Sequence, residues 1–277
     1  MAPCAPRFAS LLLGFLLCGP AFAIVGGEPA KTWPFMVAVL DTKKRDGLEA
    51  QFCGGSLISG RWIVTAAHCV DGQRPEELRV LLGSRFLKEG DLKKRVRVAE
   101  IVVHPSYSDR LHDYDIALLR LERWVSLAPV ALATPAQLAQ AERRQAPALV
   151  MGWGGTRQVR SPYDLRLTDF PRQLLQTSVP VRRREVCLEQ VGADRLTPRT
   201  LCAGHPEGLR DACFGDSGGP LLLLERRPVL LGIVSGGDGC AFPNQPTVYT
   251  SVAALRGWIG SVAWGAAAAA GTAQASR

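Results

Sequence analysis

The feature that most constrains this chain is a succession of short, apolar, β-favouring segments divided by turns. Trp33 to Leu40, Gln51 to Ile58, Arg61 to Thr65 and Arg79 to Leu82 read this way, and Arg95 to Val103 alternates polar and apolar residues like a strand with one solvated face. A second series starts at Leu149 to Gly154. It continues through Gln173 to Val181, Pro220 to Leu224, Val229 to Val234 and Thr247 to Ser251. Between the two series, residues 126–146 hold Pro129, Pro135, an Ala/Gln-rich run and Arg143-Arg144, which reads as a crossover between halves. Short strands repeated in two halves predict an all-β fold of two barrels packed side by side.

Residues 1–23 read as a secretory signal peptide, with one charge at Arg7, an apolar run from Leu11 to Leu17 and small residues around Ala21-Phe22-Ala23. That run is too short to span a bilayer, so no membrane anchor is expected. Two of the eight cysteines, Cys4 and Cys18, leave with the signal. An even number then remains in a chain bound for an oxidising space, which predicts disulfides but leaves their pairing open. The formal charge of +8 is compatible with an anionic partner or with scattered surface arginine. No nucleic-acid partner is expected.

The chemistry is carried by Asp211-Ala212-Cys213-Phe214-Gly215-Asp216-Ser217-Gly218-Gly219-Pro220. A serine hydroxyl needs a base beside it to act as a nucleophile. Glycines around Ser217 allow a backbone in which the amides of Gly215 and Ser217 point together at a developing oxyanion. Thr65-Ala66-Ala67-His68-Cys69 supplies a histidine, and Asp113-Tyr114-Asp115-Ile116-Ala117-Leu118-Leu119 supplies a carboxylate at the start of an apolar strand. With these three motifs in the order His, Asp, Ser, residues 24 to about 263 resemble the trypsin-like serine endopeptidases of the chymotrypsin family.

The resemblance implies two packed six-stranded antiparallel β-barrels, about 24–125 and about 147–252, closed by a helix at Leu255 to Trp264. The peptidase domain then runs over 24–264, and the Ala-rich residues 265–277 are expected to be a disordered tail. It implies disulfides Cys53–Cys69, Cys187–Cys202 and Cys213–Cys240. His68 becomes the general base, Ser217 the nucleophile and Asp115 the residue that orients the imidazole; Asp113 is the rival carboxylate, and Asp115 is preferred because it directly abuts the strand. Ile24, freed by signal removal, would turn inward and pair with Asp216, with Phe22-Ala23 as an alternative dipeptide prosegment.

For substrate binding the resemblance implies Asp211 at the pocket base, selecting Arg or Lys, with Gly237 leaving the wall open and Tyr249 at the base. Ser235 would bond the triad acid, and His112 would wall the neighbouring subsite. Two departures stand out: Thr247 occupies a position that is Gly in trypsin, and Gly236 replaces a Trp. They raise the alternatives of a self-inhibited, narrow-specificity protease and of a non-catalytic homologue binding an anionic partner. The loop 83–94 has Glu89 and Asp91 among lysines, too few acids for tight calcium. The four histidines are not spaced as a zinc set, so no metal or cofactor is expected. A loop from Gly155 to Asp169 offers Arg157, Arg160 and Arg166 to self-cleavage. The expected protein is a secreted monomer (extracellular, periplasmic or granule-stored) acting on proteins or peptides, with a protein inhibitor as a compatible partner.

Overall fold

A computed structural model describes residues 24–88 and 94–265. The signal peptide, the acids Glu89 and Asp91 and the tail after Gly265 lie outside the described residues.

In chain order the strands of the first half are β1 (Glu28–Pro29), β2 (Met36–Asp41), β3 (Gln51–Ser59), β4 (Trp62–Thr65), β5 (Leu78–Leu82), β6 (Val96–Val103) and β7 (Ala117–Leu121), with one short helix, α1 (Gly47–Ala50). Six of them close into an antiparallel barrel in the order β2-β3-β4-β7-β6-β5. The crossover carries β8 (Ala131–Leu132) and a helix, α2 (Pro135–Arg144). The second half follows with β9 (Pro147–Gly152), β10 (Leu175–Pro180), α3 (Arg184–Val191), β11 (Thr200–Ala203), β12 (Pro220–Leu224), β13 (Pro228–Gly236), β14 (Thr247–Ser251) and α4 (Val252–Trp264).

The second sheet runs β1-β10-β9-β12-β13-β14-β11, and β8 joins β13 in parallel. Its two ends meet. Val181 bridges Ala203, with Arg182 N–H donating to Cys202 O at 2.9 Å and Gly204 N–H to Pro180 O at 3.1 Å. Six strands thus form a second ring, and β1 and β8 are added at its margins. The two-barrel expectation holds, with these two short strands as the addition.

Besides the single turn α1, the two longer helices α2 and α3 escaped the strand-based reading. In α2 the cue was local: Thr134 accepts from Gln137 N–H, the Gln137 side chain reaches back to Thr134 N–H, and Pro135 opens the first turn. In α3 it was tertiary, because the helix is tied to β11 by the Cys187–Cys202 disulfide. The four residues of β11 are all buried, too short a run to show a period. At the C-terminus Ser251 caps α4, accepting from Ala254 N–H at 3.3 Å, and Val252, Leu255 and Ile259 enter the same apolar core as Ile116 and Leu118 of the first barrel. That core continues through Met151, Leu222 and Ile233 of the second barrel, so the barrels share one dry interface. Burial of apolar side chains there, at roughly 25 cal/mol per Å2, holds the two halves in one register.

Candidate active site

His68 lies in a short 3-10 turn, Ala67–Cys69, directly after β4. The Cys53–Cys69 disulfide ties this turn back to β3. Asp115 stands just before β7, wholly buried. Its Oδ2 accepts from His68 Nδ1 at 2.8 Å and from the Ser235 hydroxyl at 2.5 Å, and its Oδ1 accepts from His68 N–H at 2.9 Å. Burial alone would raise this carboxyl; the bonds from His68 and Ser235 outweigh it and hold Asp115 below the usual carboxylate range. The Thr250 hydroxyl donates to Asp115 O at 2.8 Å, a support from β14 that no local pattern in the sequence signals.

Ser217 comes from the second barrel and lines one cleft of about 750 Å3 together with His68. The barrels can approach this closely because Gly218 has no side chain. A Cβ there would overlap the Thr65 hydroxyl and the Gly54 carbonyl, and Gly54 N–H donates to Ser217 O at 2.7 Å. Gly215 has φ +94°, a dihedral reserved for glycine. Around it, Asp216 N–H donates to Cys213 O, Gly218 N–H to Val234 O and Gly219 N–H to Asp216 O. Among the described residues, the amides of Gly215 and Ser217 form no such bond. Two N–H groups flanking the hydroxyl are therefore unspent, and the Gln51 side chain holds Gly215 O at 2.8 Å.

Asp216 is fully buried, accepting from Gly154 N–H at 2.7 Å and Cys213 N–H at 2.9 Å. Burial pushes its pKa up to about 7. Ile24 is likewise fully buried, carried inward by Val25, whose carbonyl accepts from Asp211 N–H at 3.2 Å.

The binding residues do not all reach the cleft. Ser235, Gly237, His112 and Thr247 line it, while Asp211 and Tyr249 do not. Tyr249 is wholly buried in the core of the second barrel, its hydroxyl without a partner among the described residues. Asp211 lies beneath the floor, 2% exposed, with Ala212 N–H donating to its Oδ1 at 2.8 Å and Thr247 beside it. Burial is the dominant influence and pushes its pKa up to about 8. Gly236 leaves open space beside the cleft, with nothing within 4 Å of where a Cβ would stand. The ring of His112 stands edge-on to His68, 6.2 Å between centroids. The rim includes Arg110, Arg160 and Arg195, with Arg195 paired to Asp238 at 2.7 Å. These come from separate loops, so no motif announced them.

Asp113, two residues before Asp115, faces away from His68. It bonds Thr197 and Arg199 of the second barrel. The disulfides Cys53–Cys69, Cys187–Cys202 and Cys213–Cys240 all form.

This fold, with a buried Asp115 bonded to a half-buried His68 that shares one cleft with Ser217, is that of a serine endopeptidase. The chain belongs to the trypsin family, whose pattern it matches over residues 24–259. It is 37% identical to trypsin of Saccharopolyspora erythraea over 234 residues, 83% of this chain and 94% of that protein. It is 34% identical to human kallikrein-14 over 270 residues, 93% of each. Rat transmembrane protease serine 9 matches at 37% over 253 residues, 87% of this chain but 22% of that longer protein. Its substrates are proteins or peptides. No helix among the described residues is long and apolar enough to cross a membrane.

Proposed function

We propose that this protease is exported, and that it hydrolyses peptide bonds after Arg or Lys through an acyl-enzyme on Ser217. The observation that carries the reading is the convergence of His68 and Ser217 at one cleft, with the amides of Ser217 and of nearby Gly215 left unspent. His68 takes the hydroxyl proton as Oγ attacks the scissile carbonyl. The electron pair moves onto the carbonyl oxygen, which the two amides stabilise, and the imidazolium gives its proton to the leaving amine. Water then repeats the cycle, with Asp115 holding the tautomer throughout. The end of β13, Ser235 to Gly237, offers an edge for an extended substrate to pair with. Cleavage after Ala23 would free the Ile24 ammonium for Asp216.

The test is a panel of peptides differing only before the scissile bond, run with protein whose N-terminus is Ile24 and with Ser217→Ala as control. Turnover after Arg that vanishes in the control is the expected result. Fluorophosphonate labelling of Ser217 without turnover would replace this reading with a self-inhibited enzyme, which the Thr247 contact over Asp211 favours as the second reading. Absence of labelling as well would leave a binding homologue.

Burial of Asp211 sets the sign of a pH effect. With its pKa near 8, Asp211 is mostly neutral at pH 7, and a bound cation requires its ionised form. Binding therefore releases up to one proton, and affinity rises with pH until about 8, then levels. One pH unit below the pKa, ionisation costs about 1.4 kcal/mol, a factor of about ten. Thr247→Gly, by letting water reach the carboxyl, is expected to tighten benzamidine about tenfold at pH 7 and to flatten the dependence between pH 6 and 8. Titration calorimetry showing the same affinity and profile in both proteins would remove Thr247 from this role.

A further inference from the structure

The segment that delivers Asp115 is held in an uncommon conformation. His112 and Tyr114 have φ of 47° and 51°, left-handed dihedrals that side chains with a Cβ adopt rarely. Such a turn persists where its surroundings over-determine it. Between these residues, Asp113 is buried. Its Oδ1 accepts from Tyr114 N–H at 3.0 Å, Thr197 Oγ1 at 2.8 Å and Arg199 Nε at 3.2 Å, and its Oδ2 accepts from Arg199 Nη2. Burial would raise this carboxyl, and the bonds from Arg199 and Thr197 outweigh that, keeping it below the usual range.

Arg199 also lies over the Tyr114 ring at 4.7 Å. Tyr114 stacks on His104 at 4.5 Å, and His104 leans on Trp258 of α4 at 4.8 Å. A charged, bidentate contact thus ties the second barrel to the loop two residues before the acid that bonds His68. Other ties between the barrels stand on either side of it: Gly54 to Ser217 and Gln51 to Gly215 on the serine side, and Ser235 and Thr250 to Asp115 itself. The contact of Asp113 adds a charged crossing to the neutral donors that already reach the acid.

We propose that Asp113, Arg199 and Thr197 form an inter-barrel clamp that positions Asp115, so that its Oδ2 stays within reach of both His68 and Ser235. Asp113 is then a positioning residue and touches no substrate. The inference rests on the protease reading above for its kinetic consequence, but the geometry of the Asp115–His68 bond can be read without turnover.

Asp113→Ala, Asp113→Asn, Arg199→Gln and the double variant Asp113→Ala/Arg199→Gln, each with Ile24 as N-terminus, are compared with the parent. Two quantities are read: kcat and KM on an Arg peptide, and the low-field proton resonance of His68 Nδ1–H. Misplacement of a catalytic group by a fraction of an ångström lowers rate more than binding. Asp113→Ala is expected to lower kcat about tenfold with KM within about twofold, and to broaden the resonance through faster exchange with water. Asp113→Asn keeps an acceptor for Thr197 and the Tyr114 amide, and should recover part of both. The double variant should be no worse than the worse single, because the two residues act as one unit.

Unchanged kcat and resonance in folded Asp113→Ala would overturn the clamp, as would single losses that multiply in the double. Should Asp113→Ala fail to fold, Arg199→Gln carries the same two readings. Should the parent turn over no peptide, the protease reading fails, and the resonance still decides on the clamp.

Discussion

Asp115→Asn is expected to lower kcat about 10^4-fold, the size of the corresponding change in the triad of this family's template. Here the reason lies in donors and acceptors. Oδ2 of Asp115 accepts from both His68 Nδ1 and the Ser235 hydroxyl, and it is buried beyond the reach of water. An amide nitrogen at that place meets two donors. The ring can satisfy it only by carrying its proton on Nε2, which leaves no lone pair facing Ser217, so the base is lost while the shape of the cleft stays. Binding should change little, and the loss should fall on kcat. The check is steady-state kinetics on protein counted by active-site titration. A loss below about tenfold would mean that Asp115 does not set the tautomer.

The second large effect concerns Ile24. Asp216 is fully buried with two backbone donors, and burial lifts its pKa to about 7. Paired with a free Ile24 ammonium it would become a charged, compensated group. Leaving such a buried charge unpaired costs about 3–5 kcal/mol, so a chain retaining Ala23 is expected to be roughly 10^2- to 10^4-fold less active than one beginning at Ile24. The pH sign follows from the ammonium. Its pKa in the pair is raised above the free value near 8, so the stabilisation is complete below about pH 8 and is lost as pH climbs through the raised value. Two preparations differing by that single residue, compared in kcat/KM across pH 7 to 10, give the check. Equal activity at pH 7 would show that no such pair is needed.

Much of this was legible in the chain. Short apolar, β-favouring runs between turns located most strands, since most of them are buried along nearly their whole length; alternation marked only β6. The helix α2 was misread as plain crossover, although Thr134-Pro135 and Gln137 held a capping signal. Asp115 was separable from Asp113 by its contact with an apolar strand. What Asp113 does instead was not legible, because its partners lie 84 and 86 residues away in the chain. The same holds for Thr247 over Asp211. In the sequence Thr247 stood out as a departure from a glycine; packing of β14 beside the pocket floor is what sets it next to a carboxyl that is 2% exposed.

The sequence by itself determined the class of the fold and carried the motifs around His68, Asp115 and Ser217, because each is written in residues close together or in apolar runs along a strand. Tertiary structure alone decided how the two barrels register, what Asp113 bonds instead of His68, and that the Asp211 carboxyl is covered. Those are properties of distance and burial. A chain that closes two barrels from strands far apart in sequence sets them only when the barrels meet.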